Sequence, residues 1–467
     1  MTAFAQESKP LSLSSPRFRK QGEGFHGLIG SNTLGSAVLP SIGAKAKLVP
    51  FYERWELGAA SDSTRIVDRR TQLRESLESA MAERPWSWPK QPIIFISDAH
   101  ADADAFRESL LASGGLSVNS TGDYLLTALG RRAKFIIGGD CLDKGPSNLA
   151  LLRSVKKLMD TGAKVKLLAG NHDVRLLVGL RAMSLRKHCD TEHLFIRMAP
   201  KVNPLLKEIY TEYLDGKPNA LKGVPSSEEC RRRLFPSEDW YSRFQQSAQG
   251  RMPDEAIERE LSRMRKKIEG AEQAFAEFGF GMRELYATAK QCQRLFLKTN
   301  GEFSWFFKKM QLVHRSGSFL FVHAGLDDKA VDIIQRHGVK KMNKLYRKQL
   351  KDNLFDFYYG VVANTLRTKY RDVDMSLSEK AVLKAYREGI HAVVHGHRNH
   401  LDGQRLMLRH GMLHVEGDIT MDRNSRRKEG LRGLGVGATI IEPEGRVLGI
   451  SNDYHAIKVF SPAHYLQ

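Results

Sequence analysis

Residues 93–100 read IIFISDAH: four apolar residues, then Ser97, Asp98, Ala99 and His100. A short unbroken apolar run predicts a strand buried on both faces, and this one delivers a carboxylate and an imidazole at its carboxyl end. The arrangement recurs. Lys134-Phe135-Ile136-Ile137 leads into Gly139-Asp140-Cys141-Leu142-Asp143, and Val165-Lys166-Leu167-Leu168-Ala169 leads into Gly170-Asn171-His172-Asp173. Helical patterning over residues 105–112 and 147–160 separates the runs, which predicts βαβ units. Ligands of such sheets gather outside the carboxyl ends of the strands. Asp98, Asp140 and Asn171 therefore converge for a topological reason. Further along, Gly317–Val322 predicts a strand delivering His323, and Ala392-Val393-Val394 delivers His395 and His397.

Carboxylate, amide and imidazole are the donors that suit divalent Mn, Fe or Zn. Two divalent ions about 3.5–4 Å apart can clamp a phosphoryl group for in-line attack. Asp98 and His100, two residues apart beyond one strand, can both reach one ion. Asp140 is the natural bridge. Asn171, His323 and His397 complete the second ion. His395 either ligates the first ion or supports the strand end.

The ordered set SDAH, GDCLDKGP, GNHD, VHAGL and HGHRNH resembles the calcineurin-like metallophosphoesterases, and within them the phosphoprotein-phosphatase type. The pattern of that type is D-x-H, G-D-x-x-D-R-G, G-N-H-[DE], H-[AG]-G-L and a late His. The resemblance covers roughly residues 91–180 and 317–452. It implies an α/β fold, a metallophosphoesterase β-sandwich flanked by helices, and two divalent ions (Mn²⁺, Fe²⁺/Fe³⁺ or Zn²⁺) held by Asp98, His100, Asp140, Asn171, His323 and His397. It further implies that His172 is the general acid, oriented and charged by Asp143, and that Lys144 and Asn171 face the substrate phosphate. Three departures stand out. Lys144 replaces an Arg and loses its bidentate geometry, Ala169 stands where another phosphate-binding Arg is often placed, and the late motif is HGHRNH. They point towards bacterial-type relatives. Arg367, Arg398 and Arg423 are the candidates to replace the missing arginines, and His400 reads as a surface residue.

Outside the motifs, residues 1–90 read as a loosely ordered arm followed by a helix over residues 63–82, with Ile66, Leu73, Leu77 and Met81 at helical spacing. The core spans 91–180 and 311–467, with a smaller basic helical insert over about 328–390. Residues 181–310 form a large helical cap insertion, with long helices over 253–272 and 274–296. The polar stretch at residues 417–427 is either a loop over the site or a solvent-facing turn. Lys plus Arg outnumber Asp plus Glu by 73 to 53, for a net charge of +20. This favours anionic partners, phosphorylated substrates or nucleic acid, although runs such as Arg231-Arg232-Arg233 also suit a solvated helix face. Four cysteines form no CxxC pair, which fits a reducing compartment. Cys141, beside Asp140, reads as a core filler. No apolar window is long enough to span a bilayer, so the expected location is the cytoplasm. The function expected is phosphomonoester hydrolysis, including a Ser/Thr protein-phosphatase-like activity. The alternatives are a phosphodiesterase, nuclease or dinucleoside polyphosphate hydrolase, and, from another class, a non-catalytic scaffold.

Overall fold

The computed structural model describes residues 51–58, 66–400, 403–419, 426, 430 and 435–466. The expected N-terminal arm, Arg423 and most of the polar stretch at 417–427 lie outside these residues. The first strands in chain order are β1 (Phe51–Arg54), β2 (Ile93–Ile96), β3 (Leu116–Val118), β4 (Tyr124–Leu126), β5 (Lys134–Ile137), β6 (Lys164–Leu168) and β7 (Met310–Gln311). They are followed by β8 (His314–Ser316), β9 (Phe319–Phe321), β10 (Ala392–His395), β11 (Arg405–Arg409), β12 (Met412–Glu416), β13 (Gly437–Glu442), β14 (Arg446–Ser451) and β15 (Ala456–Phe460).

Two sheets carry the site. The larger has the order β1-β15-β14-β13-β2-β5-β6-β7, and the smaller β11-β12-β10-β9-β8. The strands β2, β5 and β6 are parallel, with Ile93 opposite Lys134 and Lys134 opposite Lys164. In the smaller sheet β10 runs parallel to both β9 and β12. All five motif-bearing strands therefore end on the same side of their sheets.

Side-chain alternation explains the layering. Ile93, Phe95 and Ile136 face one apolar cluster with Phe319, Phe321, Val394 and Val415, which is the interior between the sheets. Ile94, Ile96, Phe135 and Ile137 face the opposite cluster, under the helices. Phe95 and Phe321 meet across the sandwich with ring centroids 6.0 Å apart. The result is a mixed α/β metallophosphoesterase-type sandwich with helices packed outside it.

The helical cluster runs without a break from the core into both inserted segments, through residues such as Leu176, Phe195, Trp240, Phe244 and Phe355. The described residues from 51 onward belong to one compact unit. Three expectations need correction. The first described helix is Ile66–Glu83, and its buried stripe runs through Leu73, Leu77 and Ala80, leaving Met81 exposed. The long helices of the large insert are Asp254–Ala276 and Met282–Leu297. The chain breaks between them at Gly279, whose φ of +77° favours glycine. Finally, β1, β3, β4, β7, β8 and β15 are additional strands; all but β15 are at most four residues long, and β15, buried between β1 and β14, has its apolar run interrupted by Lys458.

Candidate metal centre

Two groups of possible ligand atoms lie at the strand ends, each with its atoms within 4.8 Å of one another: Asp98, His100 and Asp140, and Asp140, His323 and His397. Asp140 belongs to both. All five side chains are buried or nearly so, and the two groups place Asp140 between His100 on one side and His323 on the other.

The backbone sets these positions. Asp98, His100, Asp140, Asp143, Lys144 and His397 all have left-handed φ, between 43° and 73°. Such conformations are costly for residues with a β-carbon and concentrate where surrounding structure enforces them. Here the loops brace one another. Asp98 N–H donates to Gly139 O at 3.0 Å, His100 N–H to Asp140 O at 2.9 Å, and Gly396 N–H to His323 O at 3.0 Å. The orientation of Asp98 follows from its partners. Its Oδ2 accepts from Ser97 Oγ at 2.5 Å and from His397 N–H at 3.0 Å, leaving Oδ1, 3.9 Å from His100 Nε2, to face the first group. A β-carbon at Gly396 would overlap both Asp98 Oδ2 and Ser97 Oγ, so this close approach requires glycine.

Asp140 is held by its neighbour's backbone. Oδ1 accepts from His172 N–H at 2.8 Å, and Oδ2 lies 3.3 Å from His323 Nε2. His323 Nδ1 is fixed 2.9 Å from Gly138 O, and its Nε2 lies 3.0 Å from Asn171 Oδ1. Asn171 thus joins the second group. Asp173, the last residue of GNHD, takes no place at the centre. Fully buried, it accepts from Cys141 N–H, Leu142 N–H and Gly170 N–H at 2.9, 3.1 and 3.1 Å, clamping the second and third motif loops together.

His172 opens the helix Asn171–Ala182. Its Nδ1 is 2.8 Å from Asp143 Oδ2, and its ring lies 5.1 Å from that of His100. Arg175 Nη1 donates to the same Asp143 oxygen at 3.1 Å and stands 3.2 Å from His172 Nδ1. Arg175 was not among the expected site residues. The available signal was its position three residues after His172, which puts both on one helix face. Burial pushes the Asp143 carboxyl up, to about 7, against the pull of Arg175. Burial also holds the His172 imidazole well below its usual range.

The donor set fits divalent cations. Burial raises the Asp98 carboxyl to about 6, and although burial pulls the His323 imidazole down, Asp140 and Asp98 raise it to about 10. Protons are thus retained where cations would otherwise balance the carboxylates. His397 Nε2 is buried, has no hydrogen-bond partner and belongs to the second group.

His395 lies in neither group. Its Nδ1 is 2.9 Å from Gly396 O, and its Nε2 is 3.1 Å from His414 Nδ1 and 3.9 Å from Glu416 Oε1. Of its two expected roles, this geometry matches support of the strand end. His400, read as a surface residue, is instead mostly buried, with Nε2 2.7 Å from Glu416 Oε2. Glu416 is fully buried at the end of β12 and also pairs with Arg398, Arg405 and Arg409. Although burial pushes the Glu416 carboxyl up, His400, His395 and the arginines hold it far below the usual range. Arg398 is therefore engaged in pinning the HGHRNH loop. Arg367 donates to the carbonyls of Tyr358 and Ala363 and lines a cavity beside Asn171. The Arg231-Arg232-Arg233 run is paired with Glu272 and Glu229 on the exterior. Cys141 is buried in the helical core cluster, as a filler would be.

A family model described as Metallophos, calcineurin-like phosphoesterase, matches residues 91–249. The chain carries a calcineurin-like phosphoesterase domain. The match continues past residue 180 into the inserted helices and ends before His323 and His397, which the fold brings to the same centre. This phosphoesterase is a metal-dependent hydrolase of phosphate esters. No curated protein matches its sequence. Among solved structures, the cold-active protein-tyrosine phosphatase of a psychrophilic Shewanella species is similar at 14% identity, covering 79% of this chain and 80% of that chain, with a TM-score of 0.40. A protein serine/threonine phosphatase from Saccharomyces cerevisiae is similar at 10% identity, covering 84% of this chain and 89% of that chain, with a TM-score of 0.32. Among the described residues, no helix is long and apolar enough to cross a membrane.

Proposed function

We propose that the chain hydrolyses phosphomonoesters at a dinuclear centre, with Asp98, His100 and Asp140 holding one divalent ion and Asp140, Asn171, His323 and His397 the other. The observation that carries this reading is the sharing of Asp140 between two ligand groups, with the His172–Asp143 pair next to it. Bound there, a pair of divalent ions supplies a clamp for phosphoryl oxygens and lowers the pKa of water.

The protein's own groups do the rest. His172 N–H fixes Asp140, and Asp143 fixes the His172 ring through Nδ1, leaving Nε2 to deliver a proton to the leaving oxygen. Against the pull of burial, the Asp140 charge favours the imidazolium that this acid requires, while Asp143 orients its ring. Arg175 holds Asp143 in place. Lys144 and Lys201, whose charges reach both Asp143 and the surrounding field, add positive potential on the His172 side. A phosphomonoester carries about 1.5 to 2 negative charges at neutral pH, more than a diester, so this concentration of cations favours the monoester. Lys144, at a left-handed turn beside Asp143, and the Asn171 amide are the groups assigned to the substrate phosphate. Four free, buried cysteines support activity in a reducing cytoplasm.

The test is turnover of p-nitrophenyl phosphate with Mn²⁺, comparing the wild type with Asp140→Asn. Losing the shared carboxylate is expected to cost at least on the order of 10³-fold in kcat. Equal activity of the two proteins would sink the assignment.

A further inference from the structure

Beside Asn171 a cavity of about 170 Å³ opens where the two inserts meet. Four arginines line it. Arg175 comes from the helix Asn171–Ala182, Arg197 from Leu194–Met198, Arg263 from Asp254–Ala276 and Arg367 from Val361–Arg367. Their carboxylate partners are few. Arg197 pairs with Glu260 at 2.6 Å and Arg175 with Asp143 at 3.1 Å, while Arg263 is 4.0 Å from the same Glu260. The hydrogen bonds of Arg367 go to backbone carbonyls. Four cations therefore face two carboxylates.

The positive charge extends beyond the lining. Burial, then Arg197, Arg175 and Lys201, bring the Lys267 ammonium down to about 8, and Lys201 is lowered by burial and then by Arg175 and Lys144. Like charges gathered at this density oppose folding, and a bound anion relieves them. Guanidinium groups match phosphate oxygens with two parallel hydrogen bonds. Size narrows the ligand further. Small-molecule sites usually occupy roughly 300–1,000 Å³, so this cavity admits one anionic group and not a nucleoside. Asn171 lies on its wall and also contacts His323 of the second ligand group. An anion in the cavity and an ester at the metal centre are thus neighbours.

We propose that this cavity is a second anion subsite, taking a further phosphate of the same substrate molecule whose ester is cleaved at the metal centre. The inference rests on the phosphomonoesterase reading. It assigns the substrate to the class bearing two phosphates, carried either by a small metabolite or by a peptide.

The experiment uses the full chain with Mn²⁺. Fructose 1,6-bisphosphate is compared with fructose 6-phosphate, and a doubly phosphorylated peptide with its singly phosphorylated form. In one pair the two-phosphate member is expected to have roughly tenfold higher kcat/KM, and the pair that responds identifies the source. Arg263→Gln and Arg367→Gln are expected to bring that ratio towards one. Arg231→Gln, outside the cavity, controls for bulk charge and should leave the ratio unaltered. Independently of turnover, calorimetric titration of tripolyphosphate into metal-free protein should show weaker binding for both cavity variants than for Arg231→Gln. Protein that cleaves p-nitrophenyl phosphate yet shows no preference in either pair, with tripolyphosphate binding unchanged in the cavity variants, overturns the subsite. Protein that leaves p-nitrophenyl phosphate intact overturns the hydrolytic reading, and the titration alone then decides the cavity.

Discussion

Replacing Asp173 should damage the protein more than replacing many of the residues proposed to hold the metals. In Asp173→Ala, the N–H groups of Cys141, Leu142 and Gly170 lose their acceptor inside a dry interior. An unsatisfied buried donor costs about 1–3 kcal/mol, so the gross loss is roughly 3–9 kcal/mol. One term opposes it. Burial, together with Asp140, pushes the Asp173 carboxyl up to about 7, so truncation also removes a desolvated acid. The net expectation is about 3 kcal/mol, a large part of a typical stability of about 5–15 kcal/mol. Asp173→Asn is expected to lose less, about 1–2 kcal/mol. Its Oδ1 still accepts from Cys141 and Leu142, while its new amide meets Gly170 N–H donor to donor. Urea unfolding measures both, with unchanged m-values expected. An alanine variant within about 0.5 kcal/mol of wild type, with normal phosphatase turnover, would refute the clamp.

Other outcomes follow from the same contacts. His172→Gln should lower kcat by about 10²–10⁴-fold on phenyl phosphate and much less on p-nitrophenyl phosphate, whose leaving group needs little protonation; equal losses on both would remove the general-acid role. Gly396→Ala displaces the Asp98 carboxylate and should weaken Mn²⁺ binding roughly 10–100-fold, as read by metal titration with the fold checked by circular dichroism. Mn²⁺ at about 100 times its dissociation constant should stabilise the fold by about 2.7 kcal/mol, an increment absent in Asp140→Asn and after chelation. Burial holds His193 down to about 4 from its ordinary 6.5. Between those values the unfolded chain takes up a proton that the folded one refuses. His193 should therefore contribute a loss of roughly 3 kcal/mol of stability as pH drops from 6.5 to 4, a contribution that levels off below. His193→Gln should remove that share, read as a shallower fall in urea titrations than wild type between pH 6.5 and 4.

The candidate site was legible because it is carried by short apolar runs, each ending in a polar motif. Buried parallel strands need such runs, and their shared direction gathers the motif residues without any long-range information. The braces were harder to read. Asp173 acts through backbone amides, Ser97 through the carboxylate beside it and Glu416 through arginines of the neighbouring loop and strand, and nothing in the local pattern distinguishes them from exposed acids or hydroxyls. His400 was misread for this reason, since a histidine in a polar loop gives no hint of a buried carboxylate beneath it. Arg175 was readable in principle from its helical spacing to His172. The grouping of Arg197, Arg263 and Arg367 was not, because their helices meet only through tertiary packing of the two inserts.

The left-handed residues at the strand ends have a consequence for heat inactivation. Asp98, Asp140 and His397 each sit within three residues of a strand terminus, so these proposed metal ligands inherit the stiffness of the sheets. Flexible loops would have lost their geometry first on warming. Among the described residues these three positions have no softer hinge on which to fail, and activity should survive to the temperature at which the sandwich itself comes apart. Activity loss and global melting, recorded on one sample, should then trace a single curve.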